Sequence, residues 1–232
     1  MTFRTKGIAS SEGAPGSGDE HDYDGLLWAE SADLVALMNE LDDAEFARTS
    51  LCAGWRVRDV VSHMLFGHTS PMPTMVGLIA RSGFDVPRAS RLGSAQYGST
   101  HTAAELRGQW HSVVEGRVRK GISRRISTKE LFIDHLIHHQ DIRRPMDRPR
   151  SIPAERMAAA LDAMPTIGGF VKSKQRMRGL AWAAQDVEWT FGSGPEVTGS
   201  GEALILLASG RRAPIDEVSG DGTSTLDERL AA

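Results

Sequence analysis

Apolar positions recur at helical spacing through most of the first 145 residues and then give way to a mixed pattern. Leu26, Leu27, Ala29, Leu34, Leu37, Met38 and Leu41 share one side of a helical wheel, with Asp and Glu on the other, so a long first helix is expected from Asp24. Thr49-Ser-Leu-Cys-Ala-Gly-Trp55 interrupts the period as an interhelical loop. A second helix carries Val57, Val60, Val61, Met64 and Leu65 and ends near Gly67, because Ser70-Pro71-Met-Pro73 forbids continuation. A third apolar segment covers Met75 to Ile79 and stops at Gly83. Thr102-Ala-Ala-Glu105 has the form of a capping box and opens a helix through Leu106, Trp110, Val113, Val114 and Val118. Thr128 caps the next helix, which holds Leu131, Phe132, Ile133, Leu136 and Ile137 and ends before Pro145. Four or five helices joined by mostly short loops predict an antiparallel bundle, with ligand sites where facing helices converge.

The linker Arg148-Pro-Arg-Ser-Ile-Pro153 marks a domain boundary, giving a helical bundle over residues 22–147 and a small α+β domain over 148–232. In the second part a helix from Ala154 to Met164 precedes two strand-like runs, Gly179–Ala184 and Asp186–Phe191. The latter alternates Val187, Trp189 and Phe191 with polar neighbours. Glu196-Val-Thr198 supplies a third short strand, and Gly201–Ala208 returns as a helix stopped by Gly210. The glycines at 192, 194, 199 and 201 read as turn residues, because no strand–loop–helix unit of phosphate-binding spacing surrounds them. Residues 1–21, rich in Gly, Ser and acidic side chains, have little to bury and are expected to form a disordered tail.

Composition narrows the class. The 232 residues are 40% hydrophobic and 25% charged, as in globular proteins, and the net charge of −3 argues against a broad nucleic-acid footprint. The basic run Arg143–Arg150 reads as a solvated segment between domains. With Cys52 as the one cysteine, neither an internal disulfide nor a cysteine-based zinc knuckle can form, which fits a reducing cytoplasm. Arg4 and Lys6 are not followed by the apolar region of a secretory signal, and no stretch approaches the ~20 apolar residues that span a bilayer. A soluble cytoplasmic protein acting on a small molecule is the expectation, with oligomeric state left open.

Candidate chemistry concentrates in Glu130-Leu-Phe-Ile-Asp134-His-Leu-Ile-His138-His-Gln-Asp141. Asp134 and His138 are one helical turn apart, so a carboxylate and an imidazole project side by side. His63, set among Val60, Val61, Met64 and Leu65, is the best-placed third ligand. Two histidines and one carboxylate, with a coordination position left open, form the ligand set of a catalytic rather than a structural zinc site. A hydrogen-bonded pair at 134/138 and a buried neutral histidine at 63 are the plainer alternatives. Asp59, one turn before His63, is a fourth ligand or a brace for one. Asp141 either accepts the distal N–H of a ligand histidine or, more plainly, is a cap or a surface charge. His135 and His139 are one position off the Asp134/His138 face and should point elsewhere. Cys52 has only Arg56 as a basic neighbour in sequence and reads as a small buried hydrophobe rather than a nucleophile. Trp28, Trp55 and Trp110 read as core, and Arg143 and Arg144 as an exposed basic helix end.

The segment Ser50-Leu-Cys-Ala-Gly-Trp-Arg-Val-Arg-Asp-Val-Val-Ser-His63, followed by Asp134-x-x-x-His138-His-Gln-Asp-Ile-Arg-Arg-Pro145, resembles the mycothiol-dependent maleylpyruvate isomerase family. That family lies within the DinB-like group of metal-dependent helical-bundle enzymes. Trp189-Thr-Phe-Gly-Ser-Gly-Pro-Glu-Val-Thr-Gly199 and Glu202-Ala-Leu-Ile-Leu-Leu-Ala-Ser-Gly-Arg211 resemble its second domain. The resemblance covers nearly everything after residue 22. It implies a DinB-like four-helix bundle followed by the small α+β domain, with zinc or another divalent metal on His63, Asp134 and His138. It also implies mycothiol or a similar low-molecular-weight thiol whose sulfur approaches that metal. The characterised isomerase pattern has Glu where this chain has Asp134, one methylene shorter. The expected function is activation of such a thiol for transfer to, or isomerisation of, a small electrophile. A non-catalytic metal- or ligand-binding bundle and a thiol-independent metal-assisted hydrolase are the alternatives.

Overall fold

A computed structural model describes residues 21–168 and 171–231. The tail expected over residues 1–21 lies outside them except for His21, whose Nε2 is 3.0 Å from Asp162 Oδ2. Helix α1 (Tyr23–Glu40) opens on Asp22, whose carboxylate accepts from the Gly25 N–H. Arg107 closes its other end by donating to the Met38 and Leu41 carbonyls at 2.8 and 2.6 Å. A single-turn helix α2 (Asp43–Phe46) precedes α3 (Val57–Thr69), α4 (Met72–Arg81), α5 (Val86–Thr100), α6 (Ala103–Glu115) and α7 (Thr128–Arg143). The Thr102 capping box forms as expected, whereas α7 is capped one residue earlier than expected, by Ser127 paired with Glu130. Pro73 does not delay α4, because it occupies the first turn, where the missing N–H has no intrahelical partner to lose.

No apolar stripe announces α5. Its buried positions are Ala89, Gly93, Ser94 and Gly98, and their small size lets it pack closely on α3. A methyl group at Gly98 would stand 3.0 Å from Ser62 Oγ and 3.1 Å from Asp59 Oδ1. Helix α7 packs against α1 and α3, and Leu131, Phe132, Ile133, Leu136, Ile137 and Ile142 are buried in the common core.

The chain continues through α8 (Ala154–Ala163), α9 (Ser173–Met177), β1 (Ala181–Ala184), β2 (Thr190–Gly192), β3 (Glu196–Gly199), α10 (Gly201–Ala208) and α11 (Thr223–Ala231). The three strands run in the order β2-β1-β3, antiparallel between β1 and β2 and parallel between β1 and β3. The strand expected over Asp186–Phe191 is cut to its last residues, because the chain reverses tightly and Ala184 N–H meets the Trp189 carbonyl at 3.0 Å. Helices α9 and α11 are too short and too polar to stand out in the sequence. The protein is thus mostly helical with one small sheet, and no helix among the described residues is long and apolar enough to cross a membrane.

Two buried polar systems tie the helices together. His68 Nδ1 lies 2.8 Å from the Val118 carbonyl, so it carries the proton and leaves Nε2 as an acceptor. His135 Nε2 stands 3.2 Å from His68 Nε2, and its Nδ1 lies 2.8 Å from the Ser31 hydroxyl, which donates its own proton to the Leu27 carbonyl at 2.7 Å. The second system centres on Glu30, which has no solvent exposure. It accepts from His139 Nδ1 at 2.7 Å, from Arg150 at 2.5 Å and from Arg156 at 2.8 Å. The basic run is therefore not a solvated segment: Arg150 is buried against Glu30, and Arg148 pairs with Glu40 and Glu45. Nor are Arg143 and Arg144 a free basic end. Arg143 donates to His139 Nε2, and Arg144 bridges to Glu202 and Glu217.

Acid will unmask the buried histidines. Burial and the adjoining His68 push His135 down to about 3, and burial pushes His139 down to about 4. Both stay neutral in the fold, whereas a histidine in the unfolded chain gains its proton near pH ~6.5. The unfolded state then binds more protons, so stability falls as pH drops from about 6.5 toward 4, by up to ~1.4 kcal/mol per pH unit for each histidine. His135→Gln is expected to flatten that slope in urea denaturation between about pH 6.5 and 5. An unchanged slope would mean that His135 already titrates normally in the fold.

Candidate metal centre

Helix α7 carries Asp134, His138 and Asp141 at intervals of four and three residues, which align them on one face. Helix α3 faces it and presents His63. The two imidazoles converge on one carboxylate oxygen: Asp134 Oδ1 is 3.5 Å from His138 Nε2 and 3.9 Å from His63 Nε2. One ligand atom from each of the three residues lies within 4.8 Å of the others. His138 is the deepest, with an 11% exposed side chain, while His63 and Asp134 keep 28% and 39%. The cluster therefore has a buried floor and a side open to solvent.

The far nitrogen of each imidazole is held by the protein. His138 Nδ1 lies 2.9 Å from Asp141 Oδ2; an ionised carboxylate only accepts, so Nδ1 carries a proton and Nε2 is the nitrogen that faces Asp134. His63 Nδ1 meets Ser90 Oγ at 3.0 Å and Ser94 Oγ at 3.4 Å, both delivered by α5. Ser94 spends its own hydroxyl proton on the Ser90 carbonyl at 2.7 Å. Trp55 walls the site, edge-on to His63 at 5.2 Å between ring centres and nearly parallel to His138 at 6.4 Å. The loop that places it is tightly knotted. Ser50 N–H reaches the Trp55 carbonyl at 2.9 Å, and Gly54 takes a left-handed φ of 77° that a side chain would strain. Leu51 N–H pins the same loop to the Asp141 carbonyl at 3.0 Å.

Electrostatics favour a cation here. Burial disfavours a charged His138, yet the Asp134 carboxylate, with Cys52 and Asp141 behind it, holds its pKa well above the ordinary imidazole value. Packing likewise pushes the Asp134 carboxyl up, but His138 and His63 outweigh this and hold it well below the usual carboxylate range. A surrounding that stabilises an added proton at His138 Nε2 also suits a divalent ion at the same lone pair. Two neutral imidazoles and one carboxylate, braced and open on one side, fit a borderline cation such as zinc without saturating it.

Other residues singled out in the sequence fall differently. Asp59 is not a ligand: its carboxylate is taken up by the Arg56 backbone and guanidinium at 2.9–3.0 Å. Asp141 is the histidine brace rather than a cap, and it has no exposure. Cys52 is half-buried but not an inert hydrophobe. Its Sγ lies 3.0 Å from Asp141 Oδ2 and 3.7 Å from His138 Nδ1, with Arg211 at 3.8 Å. Trp28 and Trp110 are core, as expected; Trp55 belongs to the site. His135 and His139 point away into the two buried systems. Ser90 and Ser94 lie on a helix without apolar period and give no sequence signal, and Arg211, the last residue of the second-domain motif, is too distant in the chain to be placed at the site. Arg211 and Cys52 border a cavity of about 290 Å³ between the Leu51–Ala53 and Gly210–Ala213 loops. A second cavity, of about 560 Å³, is lined by Arg150, Met157, Asp186 and Glu202 among others and includes none of His63, Asp134 and His138.

Comparison with known proteins bears on the fold and the family. Two solved structures, of the mycothiol-dependent maleylpyruvate isomerase and of its histidine-to-alanine mutant, are similar with TM-scores of 0.57 and 0.58. Identity is 16% and 17%, and each alignment covers 87% of this chain and 92% of the other, a likeness of fold alone. No curated protein matches the chain. The mycothiol maleylpyruvate isomerase N-terminal domain is matched by residues 27–143, a span that contains His63, Asp134 and His138. With half of its length matched, from the core of α1 to the last turn of α7, the chain belongs to the mycothiol maleylpyruvate isomerase N-terminal domain family.

Proposed function

We propose that His63, Asp134 and His138 hold a divalent metal, zinc by preference, and that the protein activates a low-molecular-weight thiol such as mycothiol toward a small electrophile. The convergence of both Nε2 atoms on Asp134, with both Nδ1 atoms already engaged, carries this reading. A cation bound there would supply Lewis acidity that lowers the pKa of an approaching thiol. The chain's own part is positional. Asp141 and Ser90 fix the imidazoles, Trp55 excludes water from one side, and the exposed edge of His63 and Asp134 admits the thiol. Addition of the sulfur to an activated double bond, followed by rotation and expulsion, would isomerise the substrate; release of the adduct would transfer the thiol. The fold enters the same proposal: a DinB-like four-helix bundle of α1, α3, α6 and α7 over residues 22–147, with residues 148–232 as a second domain. Mutual packing of those four helices supports it.

The test is consumption of a panel of small electrophiles by zinc-loaded protein, with and without mycothiol. Turnover that requires both zinc and thiol is expected, at least ten times the rate of thiol alone. Zinc binding with no thiol-dependent turnover would favour a binding protein, and ester or amide cleavage without thiol would favour a hydrolase.

A further inference from the structure

The C-terminal part of the chain reaches the metal centre through one side chain. Helix α10 ends on a left-handed glycine, Gly210, with φ of 96°. Gly210 N–H returns to the Leu207 carbonyl at 3.0 Å and Arg211 N–H to the Leu206 carbonyl at 2.9 Å, the paired bonds of a Schellman cap. This cap fixes the direction in which Arg211 leaves the helix. Its guanidinium then grips Asp141 with two parallel bonds, Nε to Oδ1 at 3.0 Å and Nη2 to Oδ2 at 2.7 Å. Asp141 Oδ2 is the atom that accepts from His138 Nδ1. Asp141 has no solvent exposure, so water cannot replace a lost partner without rearrangement.

We propose that Arg211 is a positioning residue for the metal centre: its two-pronged grip fixes the Asp141 carboxylate plane, and that plane fixes the His138 ring so that Nε2 faces His63 and Asp134. The inference rests on the metal reading above and adds to it a contribution from outside the matched domain. Lysine cannot do the same work, because an ammonium is a point donor and cannot hold both oxygens in plane. Removing Arg211 frees the carboxylate to rotate, and the ring loses its bearing although every metal ligand remains.

The experiment is a competitive zinc titration on wild type, Arg211→Ala and Arg211→Lys, with visible spectra of the cobalt-substituted proteins. Outer-sphere partners of metal-bound histidines are worth about 10–100-fold in affinity. Arg211→Ala is expected to lose zinc affinity by about that factor, with a changed cobalt spectrum, and Arg211→Lys to recover only part of it. Millimolar guanidinium chloride should restore Arg211→Ala, while the same concentration of sodium chloride should not. On the wild-type protein, where no substitution can disturb folding, zinc should shift the Arg211 Nε–H resonance. Wild-type affinity and spectrum in a folded Arg211→Ala, or an Nε–H signal indifferent to zinc, would overturn the proposal. Failure of the wild type itself to bind zinc or cobalt would instead remove the metal reading.

Discussion

Glu30→Gln is expected to cost about 3–5 kcal/mol of folding stability, the range for breaking a buried charge network from one side. Glu30 lies on α1 with no exposure and serves His139, Arg150 and Arg156 together. Glutamine keeps the volume and one acceptor but removes the charge. Arg150 and Arg156 then retain Asp33, which is 3.8 and 2.6 Å away but half exposed to solvent. Arg150 has one further bond, to Gln140, and Gln140 in turn donates to Glu202, so the loss spreads from α1 through α7 to α10. In thermal unfolding this is a fall on the order of 10 °C for a chain of this size. Urea denaturation near pH 7 reads it directly. A loss below about 1 kcal/mol would place the network in the class of exposed ion pairs.

What could be read in the sequence follows from what each residue contacts. Helices α1, α3, α6 and α7 bury an apolar stripe, and stripes are visible as spacing. Helix α5 buries glycine, alanine and serine, so its helical period carries no hydrophobic signal, although it supplies the hydroxyls beside His63. The pairing of Asp134 with His138 was legible because both lie on one helix turn. His63 could be named as the best-placed partner from its apolar helical surroundings, but its distance to them could not, since the α3–α7 approach is a tertiary fact. Asp141 was visible as a candidate brace, but its burial was not, because that depends on Arg211 arriving from 70 residues away. Cys52 was misjudged for the same reason: the groups around its sulfur are distant in sequence. The basic run from Arg143 to Arg150 looked solvated because its acidic partners, Glu30, Glu40, Glu45, Glu202 and Glu217, lie on four other segments.

The second large effect belongs to the proposed ligands. His138→Ala removes the deepest donor and should weaken zinc binding by more than the ~100-fold upper range for outer-sphere changes. Asp134 is the more discriminating position. Asp134→Asn preserves shape and leaves α7 intact, yet removes the anionic donor on which His63 and His138 converge. Asp134→Glu keeps the charge on a side chain one methylene longer. If Asp134 merely paired with His138, asparagine would keep one hydrogen bond and metal affinity would not change. The decisive measurement is an equilibrium zinc titration of wild type, Asp134→Asn and Asp134→Glu against a chelator of known affinity. Stoichiometric binding by wild type, retention by the Glu variant and a loss of at least tenfold in the Asn variant are predicted. Equal affinity in wild type and Asp134→Asn would contradict the three-ligand site.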